Sequence, residues 1–220
     1  MKKLLTTTCA VIVSLFTLAA QANEIKGDAQ AGQSKNAMCI GCHGIKGYQA
    51  SFPEVYKVPM ISGQTAKYIA AALTAYKQGD RRHPTMRGIA ANLSEQDIAD
   101  LAAYYSTHGV VAGAKPVEMK KPTSQVQALL SKANCQSCHG ANLNEPIDLS
   151  YPKLAGQHAD YLFVALKSYK NEPNAVVGRN NAIMGAMAKQ YTNAELKILA
   201  NYMSSLSGDL KVVPQSEFKR

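Results

Sequence analysis

Cys39-Ile40-Gly41-Cys42-His43 and Cys135-Gln136-Ser137-Cys138-His139 are the two stretches on which the reading of this 220-residue chain turns. Each sets two thiols three positions apart and places an imidazole directly after the second. Cysteines at this spacing serve as disulfides, as part of a zinc site, as a redox dithiol or as haem attachment points. The histidine decides among them. In haem c attachment two thiols add to the two porphyrin vinyl groups, and the next residue is held under the iron as its proximal ligand. A zinc site made from all four cysteines leaves both histidines without a purpose. Cys39, Cys42, Cys135 and Cys138 are therefore read as the covalent anchors of two haem c groups, with His43 and His139 on the irons.

Working outward, the chain repeats itself. Ser34 to Gly44 (SKNAMCIGCHG) matches Ser131 to Gly140 (SKANCQSCHG), and Pro59 to Gln64 (PMISGQ) matches Pro152 to Gln157 (PKLAGQ). Tyr68 and Tyr76 return as Tyr161 and Tyr169, and Met86 to Tyr104 returns as Met184 to Tyr202. The offset is 96 at the cysteines, 93 at the prolines and 98 at the methionines, so the second half gains residues between Lys170 and Met184, where Glu172-Pro173-Asn174 signals a turn. Gly113, Pro116 and Pro122 fall in a stretch without apolar periodicity, read as a linker over 109–124. The units are then 23–108 and 125–220. Each holds about 90 residues, a size at which a core benefits from a covalent staple such as a bound porphyrin.

Residues 1–22 read as a leader rather than as fold. Lys2 and Lys3 precede an apolar run from Leu4 to Ala20, and Ala20-Gln21-Ala22 is a small-residue cleavage signal ahead of Asn23. An uncleaved anchor is the alternative, but the run is short for one. A cleaved leader implies export to the periplasm and removes Cys9 from the cysteine count. It also takes two lysines from the formal charge of +9, leaving +7. Four haem propionates lower this to roughly +3, and no basic run is longer than Lys120-Lys121. Nucleic acid is a poor partner for such a chain.

The remaining pattern is helical, without alternating strand signals. Ser94 with Asp97, and Thr192 with Glu195, open capping boxes ahead of apolar stripes. Helices are also expected over Thr65 to Gln78, with Gly79 as the stop, and over Ala159 to Lys170. The fold class is all-α: two tandem domains of three to four helices, each around a haem. Met86 and Met184 share a repeat position seven residues before Leu93 and Tyr191, on what reads as a loop before the last helix. Thioether sulfur is a soft ligand that raises haem potential. A methionine is equally a core filler, but recurrence at one position in both halves favours the ligand reading. Met187 is the rival to Met184, although it aligns with Ile89. His83 is the rival to Met86, but it aligns with Asn181 and reads as a surface loop residue. Pro59 and Pro152 open two readings, a carbonyl that accepts from the proximal imidazole or a simple turn. Tyr68, Tyr76, Tyr161 and Tyr169 read as core or haem-packing aromatics.

On these residues the sequence resembles the dihaem cytochrome c4 family, built from two c553-type class I cytochrome c domains. The resemblance rests on the two C-x-x-C-H motifs, the two P-x-x-x-G-Q segments, and the Met86…Leu93-Ser94-Glu95-Gln96-Asp97-Ile98 block with its second copy. The second copy departs from the pattern at Tyr191-Thr192-Asn193-Ala194-Glu195. The resemblance implies axial pairs His43/Met86 and His139/Met184 and a carrier, soluble or membrane-associated, between a quinol-oxidising bc1-type complex and a terminal oxidase. An iron filled on both sides exchanges electrons and has no open position for substrate. The alternatives are a cytochrome subunit of a periplasmic dehydrogenase, such as a flavoprotein oxidising sulfide, and an enzyme of the dihaem peroxidase or thiosulfate-oxidising kind.

Overall fold

The computed structural model describes residues 25–111 and 120–214. The leader with its Ala22/Asn23 cleavage point, and half of the linker (112–119), lie outside them. Among the described residues no helix is long and apolar enough to cross a membrane.

The first half folds as α1 (Ala29–Lys35), α2 (Ala37–His43), α3 (Ala66–Gln78), α4 (Pro84–Ala91) and α5 (Glu95–Thr107). The second repeats the order as α6 (Ser124–Lys132), α7 (Cys135–His139), α8 (Ala159–Lys170), α9 (Ala182–Lys189) and α10 (Asn193–Ser204). Both capping boxes form. Thr65 caps α3, and Gly79, at φ 89°, ends it in the left-handed region that glycine enters without a Cβ penalty. Among the described residues each half has five helical segments, because the methionine segments, read from the sequence as loops, are short helices. Eight residues are too few for periodicity to reveal. Their caps explain them: Pro84 opens α4 after the His83 side chain accepts from the Met86 amide, and Asn181 does the same for Met184. His83 is therefore a helix cap rather than a free loop residue, and its Nε2 lies 3.0 Å from the Tyr56 hydroxyl.

Cores lie under the last helix of each half. Leu101, Ala102 and Tyr105 of α5 pack on Ile69 of α3. Leu196, Leu199, Ala200 and Met203 of α10 pack on Leu162 of α8 and on Val126, Leu129 and Leu130 of α6.

Two short antiparallel ladders complete the backbone of the described residues. Strand β1 (Gln49–Ala50) pairs with β2 (Tyr56–Lys57), and β3 (Arg81–Arg82) pairs antiparallel with β4 (Gly178–Arg179) across the two halves. The contact between halves is two-fold in pattern. The Gln157 side chain accepts from the Met60 amide (3.0 Å) and donates to the Met60 carbonyl (2.9 Å). Gln64 makes the same two bonds to Lys153, at 2.9 and 3.1 Å. Lys57 pairs with Asp160, Lys167 pairs with Glu54, and the Lys211 amide donates to the Ser62 carbonyl at 3.0 Å as the chain returns to the first half after α10.

Candidate haem sites

Helix α2 carries Cys39, Cys42 and His43 within one and a half turns, so all three project from a single short element. Helix α7 does the same for Cys135, Cys138 and His139. All eight residues singled out in the sequence, the four cysteines with His43, Met86, His139 and Met184, line one cavity of about 840 Å³ that extends through both halves. Among the described residues no three His, Cys, Asp or Glu side chains converge as a metal-binding group, so the cysteines do not gather into one zinc site. A redox dithiol needs a depressed thiol pKa. Burial instead pushes Cys39 up to about 11 and Cys135 upward.

The histidines are set as proximal ligands require. His43 Nδ1 lies 2.7 Å from the Pro59 carbonyl, and His139 Nδ1 lies 3.0 Å from the Pro152 carbonyl. A carbonyl only accepts, so each Nδ1 carries the proton and each Nε2 lone pair is free. Burial lowers both pKa values, which favours the neutral, ligating form. Of the two readings open for Pro59 and Pro152, the carbonyl acceptor is the one observed. Met86 and Met184 both stand at the third position of their short helices, their amides bonded to His83 (3.4 Å) and Asn181 (2.9 Å). Met187 also lines the cavity, at the position where α4 carries Ile89, and its sulfur meets Gln190 Nε2 at 3.8 Å.

The cavity also fits the acidic edge of a porphyrin. Arg81 and Arg179 line it, and their polar partners are tyrosine hydroxyls: Arg81 donates to Tyr68 (3.0 Å) and Tyr169 (3.4 Å), Arg179 to Tyr161 (3.0 Å) and Tyr169 (3.3 Å). No carboxylate among the described residues forms a salt bridge with either. Burial alone would push Tyr169 up, yet the two guanidiniums bring it down to about 8. Two cations without carboxylate partners, in the cavity that the thiol anchors also line, suit a macrocycle that carries carboxylates.

Residues 29–108 and 124–207 both match the cytochrome c family. The chain is 30% identical over 193 residues to cytochrome c4 of Azotobacter vinelandii, covering 82% of this chain and 90% of that one. The chain belongs to the dihaem cytochrome c4 family. Its structure superposes on reduced cytochrome c4 from Pseudomonas stutzeri with a TM-score of 0.60 at 28% identity, covering 82% of this chain and all of the other. It is also 28% identical over 211 residues to a thiosulfate dehydrogenase electron acceptor of Stutzerimonas stutzeri, covering 90% of this chain and 91% of that protein. As a cytochrome c4 the protein carries two covalent haem c groups and is an electron carrier rather than an enzyme. The sequence reading missed Arg81 and Arg179. They stand at the same 98-residue offset as the two methionines, so the repeat itself held the signal.

Proposed function

We propose that this cytochrome c4 works in the periplasm as a two-haem relay of single electrons between a quinol-oxidising bc1-type complex and a terminal oxidase. Its units are 23–108 and 125–220, joined by 109–124, and export uses residues 1–22. Cys39 and Cys42 hold one macrocycle through thioethers, and Cys135 and Cys138 the other. His43 with Met86, and His139 with Met184, cap the irons, while Arg81 and Arg179 hold the propionate edge. The bound haem supplies a one-electron ferric/ferrous couple. The chain's residues keep water and substrate from the metal, fix each imidazole through a proline carbonyl, and favour the ferrous state with a soft sulfur. The observation that carries this reading is the pair of Nδ1–H bonds to Pro59 and Pro152, which leaves one free Nε2 in each half in the cavity that Met86 and Met184 also line.

A second reading has the donor as a thiosulfate-oxidising dehydrogenase, favoured by the likeness to the thiosulfate dehydrogenase electron acceptor. Purified ferric holoprotein should be offered each donor in turn. Fast reduction by a bc1-type complex with quinol supports the first reading. Fast reduction only by a thiosulfate dehydrogenase with its substrate, together with co-elution of the two on size exclusion, replaces it with the second.

A further inference from the structure

The two glutamines that cross between the halves end on the peptide units that hold the proximal histidines. Pro59 C=O and Met60 N–H belong to one planar, resonance-coupled amide. His43 Nδ1–H donates to its oxygen at 2.7 Å, while its N–H donates to Oε1 of Gln157 from the other half at 3.0 Å. The second half mirrors this: His139 donates to Pro152 O at 3.0 Å, and the Lys153 N–H of the same amide donates to Oε1 of Gln64 at 2.9 Å. Both glutamines are 4% exposed, so these bonds are shielded from competing water. Each Oε1 also accepts from the next amide of its own chain, Thr65 or His158, at 3.0 Å, which fixes its direction.

We propose that Gln64 and Gln157 are exchanged positioning residues, each tuning the haem of the opposite half through that half's proline carbonyl and proximal histidine. The inference rests on the axial assignment of His43 and His139 given above. Accepting from an amide N–H polarises the amide and makes its oxygen a stronger acceptor, because hydrogen bonds in series reinforce one another. A stronger acceptor on Nδ1–H raises the basicity of the imidazole, and a more basic ligand favours ferric iron. Gln157 therefore holds down the potential of the first haem, and Gln64 that of the second. A structural role alone would act on the glutamine's own half, where it steadies the start of α3 or α8, or equally on both halves through their docking.

The test uses the holoprotein with Gln157→Leu and, separately, Gln64→Leu, and measures each haem's midpoint potential with the haems assigned by NMR. In Gln157→Leu the potential of the His43 haem should rise and that of the His139 haem stay; in Gln64→Leu the pattern should reverse. Where a leucine variant does not retain both haems, the shorter Gln157→Asn or Gln64→Asn should give the same direction. Lys167→Ala, which breaks the ion pair with Glu54 across the same interface, should move neither potential. A shift at the variant's own haem, an equal shift at both, or no shift overturns the proposal. Failure of the underlying axial assignment shows instead in the unmutated protein, as haems without histidine ligation.

Discussion

The two halves share one plan and are stabilised by different means. Under the last helix of the second half lies an extended apolar cluster from Val126 to Leu206, with Leu196 and Ala200 fully buried. The cluster in the first half is confined to Ile69, Leu101, Ala102 and Tyr105. In its place the first half buries a carboxylate. Asp100, at 2% exposure, accepts from the Asp28 amide (2.8 Å), Gln96 (2.8 Å) and Lys35 (2.7 Å), and Lys35 also reaches Asp97 at 2.7 Å. The repeat carries Lys132 and Glu195 in the second half, at 3.6 Å, but has Ile198 where Asp100 stands. One scaffold therefore tolerates either an apolar or a charged filling beneath its last helix, provided the charged one is fully bonded.

The largest expected effect sharpens the comparison at the irons. Met86→Ala and Met184→Ala should each remove about half of the weak far-red charge-transfer absorption that sulfur ligation implies for ferric protein, whereas Met187→Ala should leave it whole. Loss with Met187→Ala and not with Met184→Ala would show that the halves differ in ligand position.

Next come the two fillings. Leu196→Ala should cost about 2–5 kcal/mol in the second half, read from chemical denaturation followed at its haem. Asp100→Ala should instead lower the thermal transition of the first half alone, since it leaves the Asp28 amide without its acceptor and Gln96 with only the Lys26 carbonyl.

Acid tests the charged filling of the first half. The Lys35 ammonium, the Asp28 amide and Gln96 hold the Asp100 carboxyl below its ordinary range. A carboxyl with a lowered folded pKa contributes stability that is complete above its unfolded value near ~3.9, and that contribution is lost as pH falls through the folded one. Ile198 makes no such contribution. Asp100→Asn should therefore make the first half less sensitive to acid while leaving the acid response of the second half, set by its own bonded carboxyls such as Glu195 and Asp209, unchanged in haem-resolved unfolding curves.

The smallest effect concerns the feature the halves share at their boundary. Arg81→Gln and Arg179→Gln should each lower the potential of the nearer haem, because a cation beside the site opposes the added charge of ferric iron. Potentials unchanged in both variants would remove these arginines from the propionate edge.

Much of this was legible in the sequence, for physical reasons that differ from site to site. The C-x-x-C-H spacing is covalent chemistry and needs no fold to be read. Ser94/Asp97 and Thr192/Glu195 announce their helices because a capping box is local. The short methionine helices were not legible, since one or two turns offer no period, and a histidine cap such as His83 is an uncommon signal. The glutamine exchange was hidden more deeply. Gln64 and Gln157 were visible as repeated residues, but their partners lie 89 and 97 positions away in the other half. Only the docking of the halves brings them onto the proline amides.

An iron closed on both faces by side chains of its own half has no position for an added ligand. Adding carbon monoxide to fully reduced holoprotein tests that closure most directly. Neither haem should change its spectrum on the timescale of mixing. Rapid, stoichiometric binding at one or both haems would contradict it and return the protein to the class of enzymes with an open iron.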